Sequence, residues 1–167
     1  MSLNESSHFD RDYQTFKNFG QESMLSLNDV FKESMRTAQL RFDHPNIIVR
    51  CQSLPYIAGN GEEIRKLFDD LFTMLFSYPL VGSRFFLYVD CEEENSSVMD
   101  ISLSQGFKRY LIRFHTNIAT KENWKDMYSQ VLAGCQQILS HHHGSFLVNS
   151  NNNTGFLFSI SLPGKLQ

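Results

Sequence analysis

The chain has 167 residues, of which 41% are hydrophobic, a composition that fits one globular domain with its own core and excludes a disordered chain. A formal net charge of −3, without a cluster of basic residues, excludes charge-driven binding to nucleic acid. No apolar run approaches the roughly 20 residues that span a bilayer, and the first residues are too polar for a signal peptide. We therefore expect a cytoplasmic domain whose separated cysteines, Cys51, Cys91 and Cys135, are reduced and buried.

Residues 1–22 are polar but carry four aromatic side chains at helix-like spacing: Phe9, Tyr13, Phe16 and Phe19. The spacing predicts a short, weakly held helix or linker. We interpret the aromatic residues as a docking stripe, either for this domain or for a neighbouring one. Residues 23–167 are expected to form the domain itself.

Apolar periodicity and turn residues divide the domain into helices and strands. The first helix is predicted to begin near Leu27, with Asn28 as its cap, and to end before Pro45. The following elements are a strand over 46–54, a helix over about 61–78, strands over 84–91, 98–104 and 109–116, a helix over 123–140, and strands over 145–149 and 155–162. This order predicts an α+β fold, a two-layer sandwich in which about three helices cover one face of a mixed, mainly antiparallel sheet.

Two stretches of the chain, 59–78 and 131–163, match one known pattern in their order and spacing. The matching positions are framework residues: Gly59, Ile64, Leu67, Leu71, Tyr78, Ile138, His142, Gly144, Gly155, Leu162 and Pro163. Together the stretches resemble the ATP-binding domain of sensor histidine kinases, and the resemblance extends over about residues 22–164. It implies the histidine-kinase-like ATPase fold and a place in two-component signalling.

The first motif of that family places two Asn residues and a Lys along a helix. The corresponding residues here are Asp70, Met74 and Ser77. In the family the second Asn holds the magnesium ion that bridges the nucleotide phosphates, but a Met thioether is a poor ligand for Mg²⁺, which prefers hard oxygen donors. Ser77 also removes the counter-charge that the Lys offers to a phosphate.

The family's other nucleotide motifs are also altered. Its Asp-x-Gly-x-Gly motif at a strand end corresponds to Gln105 and Gly106, and a Gln can still hydrogen-bond to an adenine edge. Its third motif contains glycines that let phosphates approach the start of a helix, and these fall on Met127, Ser129 and Val131. Side chains at those positions block the approach that glycine permits.

A retained frame without phosphate contacts predicts a signalling module with no catalytic residue and no cofactor. We expect it to act through protein partners of a two-component or related pathway, with a homodimer as an open alternative. A second hypothesis is a divergent, active kinase domain that binds Mg-ATP through Asp70 and Gln105. A third is a small-molecule sensor in which Met74 lines the emptied pocket.

Three other clusters have simpler interpretations. The adjacent His141, His142 and His143 cannot all face one metal ion from a regular element, so we expect structural or surface roles. The acidic run 92–94 is predicted to be a solvated hairpin tip. The acidic pair 69–70 has no evident nucleophile to serve as acid or base. No metal site is therefore predicted.

Overall fold

The structure, a computed structural model, describes residues 24–42, 46–77, 84–95, 107–118, 124–151 and 155–166. Its helices are α1 (Leu27–Phe42), α2 (Gly61–Phe76), α3 (Trp124–Met127) and α4 (Ser129–His141). Its strands are β1 (Met24–Ser26), β2 (Ile47–Cys51), β3 (Tyr56–Ala58), β4 (Phe85–Glu93), β5 (Lys108–Thr116), β6 (Ser145–Asn151) and β7 (Gly155–Gly164). The predicted strand 98–104 and the N-terminal segment 1–22 lie outside the described residues.

Within the described residues, five strands form the main sheet in the order β2-β4-β5-β7-β6. β2 is parallel to β4, and the other neighbouring strands are antiparallel. β1 and β3 form a separate antiparallel pair, which Tyr56 links to the end of β7 through backbone hydrogen bonds with Lys165. The predicted mixed, mainly antiparallel sheet is confirmed, and the small second sheet is an addition to it.

Alternation along the strands gives the main sheet an inner, apolar face and an outer face. Phe85, Leu87 and Val89 of β4 are buried, whereas Phe86 and Tyr88 between them are exposed. The inner face packs in one core with the buried sides of α1, α2 and α4. The helices therefore cover one face of the sheet, as the α+β prediction requires.

Aromatic rings join the two layers at the centre of the core. Phe31 of α1 meets Phe72 of α2 edge to face, with ring centroids 5.4 Å apart. Phe68 of α2 lies 6.1 Å from Phe114 of β5, which stacks on Phe158 of β7 at 4.4 Å. Because buried aromatic side chains remove large areas from water, these contacts fix α2 to α1 on one side and to the sheet on the other.

A second link joins the start of α2 to the end of α4. Asn60 caps α2, and its side chain accepts hydrogen bonds from two N–H groups of the first turn. The Asn60 backbone N–H donates to Nε2 of His142 at 3.1 Å, while Nδ1 of His142 lies 2.8 Å from the Ile138 carbonyl. A Cβ atom at Gly59 would overlap the His142 ring, so the close approach requires glycine there. His142 is thus a structural residue, as predicted.

The capping of α1 differs from the prediction. Ser26 takes the cap position, where its hydroxyl accepts a hydrogen bond from the Asp29 N–H at 3.3 Å. The Asn28 amide instead reaches Leu54, donating to its carbonyl at 3.0 Å and accepting from its N–H at 3.1 Å. Asn28 therefore ties α1 to the chain between β2 and β3.

The remaining differences are local. The predicted helix 123–140 is divided into α3 and α4 at Tyr128, and α2 ends at Phe76. The three cysteines are free, but only Cys135 is buried, while Cys91 is half-buried and Cys51 is exposed. No helix in the described part of the chain combines the length and the apolarity needed to cross a membrane.

We predict that Asn28→Ala lowers the free energy of unfolding by about 1–3 kcal/mol, because it leaves two partly buried backbone groups of Leu54 without their partner. Urea denaturation measures the change. Thr37→Ala is the matched control, since the exposed Thr37 hydroxyl bonds only to its own helix, at Glu33, and its loss should change stability by less than about 0.5 kcal/mol. Equal effects of the two substitutions would contradict the proposed tie.

Candidate functional site

The candidate site is the part of α2 that corresponds to the family's first nucleotide motif, with Asp70 and Met74 in the helix and Ser77 at its C-terminal cap. Asp70 is already occupied by an ion pair, since Nζ of Lys66 lies 2.6 Å from its Oδ2 one helical turn away. The hydrogen bond to Asp70, and then its charge, raise the pKa of Lys66 above its ordinary value. The carboxylate that could have served a cation is therefore paired with a neighbouring ammonium group.

Asp70 also faces α4. Burial raises the pKa of the Cys135 thiol to about 12, and the nearby Asp70 charge is the second cause of that shift. α2 and α4 pack against each other along this line. Asp70 therefore lies on the side of α2 that is close to α4, where it is paired with Lys66.

Met74 lies inside the protein. It is only 1% exposed and belongs to the same core cluster as Phe72 and Leu75. A ligand atom cannot reach a side chain in this position unless α2 moves. The residue at the family's magnesium position is therefore a packing residue in this chain.

Ser77 is used within the end of α2. Its hydroxyl donates to the Thr73 carbonyl at 2.6 Å, and its backbone N–H donates to the same oxygen at 3.1 Å. The residue thus closes the last turn of the helix. Where the family has a lysine, this chain has a helix cap.

The start of α4 keeps none of the glycines of the third motif. Met127 is exposed at the end of α3, and the Ser129 hydroxyl bonds to the Asp126 carbonyl at 3.1 Å. Val131 packs against the core. Tyr128, at the cap position of α4, makes no side-chain capping bond. Side chains therefore stand at each of the three positions where the family brings backbone close to phosphate.

Gln105 and Gly106 lie outside the described residues, so the structure places neither of them. The C-terminal end of α2 lies close to the end of β5. Phe76 of α2 meets Phe85, at the start of β4, with ring centroids 5.1 Å apart, and the neighbouring Leu87 of β4 pairs with Thr116, the last residue of β5. Asn117 follows directly, with its Nδ2 donating to the Arg84 carbonyl and its Oδ1 accepting from the Phe86 N–H, each at 3.0 Å. Sequence reasoning missed Asn117, although its place just after a predicted strand was a signal.

Lys66 is the other residue that sequence reasoning missed. Its position four residues before Asp70 is the spacing at which oppositely charged side chains meet on a helix. The pattern was therefore visible in the sequence, although Lys66 lies outside the positions that correspond to the family's motif.

The other polar clusters have structural partners. Glu92 accepts a two-pronged hydrogen bond from Arg113, and Glu93 pairs with Lys108 at 2.7 Å. Glu92 and Glu93 belong to β4, so their predicted place in a hairpin tip is wrong, although both are exposed to solvent as expected. Glu94, which follows the strand, accepts a hydrogen bond from the Ser161 hydroxyl. Among the described residues no group of three or more His, Cys, Asp or Glu could hold a metal ion.

The architecture is that of the catalytic, ATP-binding domain of sensor histidine kinases, which confirms the fold that the motifs implied. The mycobacterial sensor histidine kinase MprB is similar with a TM-score of 0.62 and 12% identity, over 87% of this chain and 100% of that one. The histidine kinase AdeS of Acinetobacter baumannii has a TM-score of 0.63 and 13% identity, over 96% and 79%. A nucleotide-free catalytic domain of histidine kinase ThkA has a TM-score of 0.58 and 15% identity, over 86% and 96%. No family model and no curated protein matches the sequence.

We predict that Met74→Asn, which restores the family's amide, lowers the free energy of unfolding by about 2–4 kcal/mol, because it buries a polar group in a packed core. Met74→Leu, of similar volume, should cost less than about 1.5 kcal/mol. Denaturant unfolding of both variants measures the difference. Equal stability of Met74→Asn and the parent protein would mean that position 74 is open to solvent.

We predict that Cys135 is the last of the three cysteines to react with iodoacetamide at pH 8. Burial raises the pKa of all three thiols, to about 11 for Cys51 and Cys91 and about 12 for Cys135, so the expected order follows from access to the reagent: Cys135 is fully buried, whereas Cys51 is exposed. Peptide mapping after timed alkylation measures the order. Reaction of Cys135 ahead of the exposed Cys51 would contradict the packing of α4 on α2.

Proposed function

We propose that this chain is a signalling module which keeps the frame of a sensor histidine kinase ATP-binding domain but does not bind Mg-ATP. It acts through protein partners in a two-component or related pathway, in the cytoplasm, and needs no cofactor. The observation that carries the proposal is the burial of Met74 in the core, at the position where the family holds its magnesium ion.

Charge supports the same conclusion. A nucleotide triphosphate needs cations opposite its phosphates, from a metal ion or from basic side chains. Lys66 is paired with Asp70, and Ser77 replaces the family's lysine. Phosphate binding at Asp70 would bring two negative groups together unless a metal ion entered between them, and Met74 offers such an ion no oxygen.

Backbone access supports it as well. The family binds phosphates through N–H groups at the start of the helix that corresponds to α4. Met127, Ser129 and Val131 add a Cβ atom at each of the three glycine positions. The family's nucleotide-binding residues are replaced on two separate elements, α2 and α4. Several substitutions would be needed to restore them, which favours a lasting change of function.

One observation keeps the active-kinase alternative open. The Asp70 side chain is only partly covered, so a metal ion could displace Lys66 and reach the carboxylate from the groove between α2 and α4. This alternative predicts that Asp70→Ala abolishes nucleotide binding. The small-molecule-sensor alternative has less support, because the Met74 side chain is only 1% exposed and packs in the core.

Titration calorimetry with ATP tests the proposal. We predict no binding in the micromolar range, with or without Mg²⁺, and the same result for Asp70→Ala. Thermal unfolding with saturating Mg-ATP should give the same midpoint as without it, since only a bound ligand shifts that midpoint. Micromolar binding that requires Mg²⁺ and disappears in Asp70→Ala would overturn the proposal and establish the active alternative.

A further inference from the structure

β2 forms one edge of the main sheet, because β4 is its only neighbour among the described strands. The Phe85 N–H donates to the Asn46 carbonyl at 3.0 Å, and the Gln52 N–H donates to the Val89 carbonyl at 2.9 Å. In a parallel ladder alternate residues turn both backbone groups to the same side, so the even-numbered residues from 46 to 52 face β4. Three residues of β2 therefore point their N–H and C=O groups away from the sheet: Ile47, Val49 and Cys51.

This edge is accessible and its outward backbone groups are unpaired. Within the described residues, no backbone hydrogen bond reaches the outward groups of Ile47, Val49 and Cys51. Ile48, Arg50 and Cys51 are exposed, and the other two residues of the strand are half-buried. An open strand edge of this kind is a template for pairing with a further strand. A strand is also the ligand whose own backbone repeats at the spacing of the three unpaired positions.

The outer face beside the edge is apolar. Ile48 of β2 lies opposite Phe86 of β4, and the two side chains are 36% and 46% exposed. Both line an open groove of about 530 Å³, together with Arg50 and Tyr88. Because side chains alternate along a strand, every second residue of an added strand would lie on this face, beside Ile48 and Arg50. The groove therefore favours an apolar side chain at one such position.

The charge at this edge is positive. Arg50 is exposed, and neither Arg50 nor Lys32 of α1 makes an ion pair with any described residue. Burial raises the pKa of the Cys51 thiol to about 11, and the Lys32 charge acts in the opposite direction, which places Lys32 near this end of β2. No residue of β2 is acidic, and Asp90 and Glu92 of β4 are already paired within the sheet. The edge thus attracts carboxylates.

We propose that β2 is the docking edge for an extended, acidic segment of a partner protein, which adds to the main sheet antiparallel to β2. Its backbone bonds to the three outward-facing residues of β2, a carboxylate lies beside Arg50, and an aromatic side chain covers Ile48 and Phe86. A second copy of the chain would bring Arg50 and Lys32 of both copies together, so charge disfavours that occupant. The inference rests on the proposed function only in that the chain acts through protein partners.

Nuclear magnetic resonance of the full chain with a defined peptide tests the proposal. In the free protein, we expect the Val49 and Cys51 amides to exchange with solvent at least about tenfold faster than those of Arg50 and Gln52, which bond to β4. The probe is acetyl-Asp-Val-Glu-Val-Phe-Val-Asp-amide, whose Glu and Phe would lie beside Arg50 and Ile48. We expect saturable binding with a Kd below about 1 mM, and at least about tenfold slower exchange of the Val49 and Cys51 amides at saturation.

Two matched controls separate strand addition from other contacts. The same peptide with an N-methyl group on its central Val should not bind, because it lacks the N–H that bonds to the Val49 carbonyl. Arg50→Glu should weaken binding of the parent peptide at least about fivefold, and the peptide with Lys in place of its Glu should prefer this variant to the parent protein. Arg50 is exposed and unpaired among the described residues, so the variant is expected to fold normally.

Several results would overturn the proposal. Slow exchange of the Val49 and Cys51 amides in the free protein would mean that the edge is already covered, and protection that falls on dilution would assign it to a second copy of the chain. Absence of peptide binding, binding that survives N-methylation, or binding indifferent to the charge reversal would exclude an acidic strand. ATP titration is read separately, so each of these results leaves the proposed absence of Mg-ATP binding in place.

Discussion

The fold depends on the aromatic contacts that hold α2 between α1 and the sheet. Eight residues of this helix are buried, which fixes its rotation as well as its position: Ile64, Leu67, Phe68, Leu71, Phe72, Met74, Leu75 and Phe76. At about 100° per residue, Met74 lies about 120° from Phe68 and about 160° from Phe72 around the helix axis, towards the opposite edge of the buried face. Met74 is therefore buried because the buried face of α2 is broad, and not because it shares a side with the two Phe rings. The family's magnesium position is thus closed by the same packing that makes the fold stable. Such packing tolerates few changes of volume, so the closure is a property of the core and not of a mobile surface.

The His142 link sets the other limit on the candidate site. It joins the end of α4 to the start of α2 through Asn60, and its two ring nitrogens are both engaged, so the imidazole orientation is fixed. α2 and α4 are therefore held together at one end by a hydrogen bond, while Asp70 of α2 is paired with Lys66 on the side near Cys135 of α4. Nucleotide binding of the family's kind would need an oxygen ligand at 74, an unpaired carboxylate at 70 and room at the start of α4. Each of these differences involves a different contact, so together they support the proposed absence of Mg-ATP binding more strongly than any one of them.

Periodicity predicted the long elements and failed where a residue's partner is distant in sequence. The apolar stripe of α2 and the alternation of β4 and β5 could be read directly, because a helix and a strand repeat their buried positions over short intervals. β1 and β3 have three residues each, too few to show alternation. Asn28 looked like a cap because its local sequence permits that role, but its partner is Leu54, 26 residues away. The glutamates after Asp90 were predicted to form a hairpin tip and not a strand, because their cations, Arg113 and Lys108, become neighbours only through the antiparallel register of β4 and β5. The burial of Met74 could not be predicted either, because the motif identifies the family residue that Met74 corresponds to but not the side chains that surround it.

The two faces of the sandwich follow different physical requirements. The inner face is completed by the helices, and every large side chain on it from β4 is buried. On the outer face over β5, charged side chains pair with one another within the sheet, so no additional element is needed to neutralise them. On the rest of the outer face, Ile48 of β2 and Phe86 and Tyr88 of β4 are partly exposed. Tyr88 has partners within the sheet, because its hydroxyl accepts a hydrogen bond from Nε2 of Gln52 at 3.3 Å and its ring lies 5.7 Å from that of His115. Ile48 and Phe86 keep part of their apolar area in water, at a free-energy cost of about 25 cal/mol for each Å². Exposed side chains of the outer face can therefore change without disturbing the helix–sheet core, whereas a change at Phe85, Leu87 or Val89 on the inner face would open a gap beneath the helices.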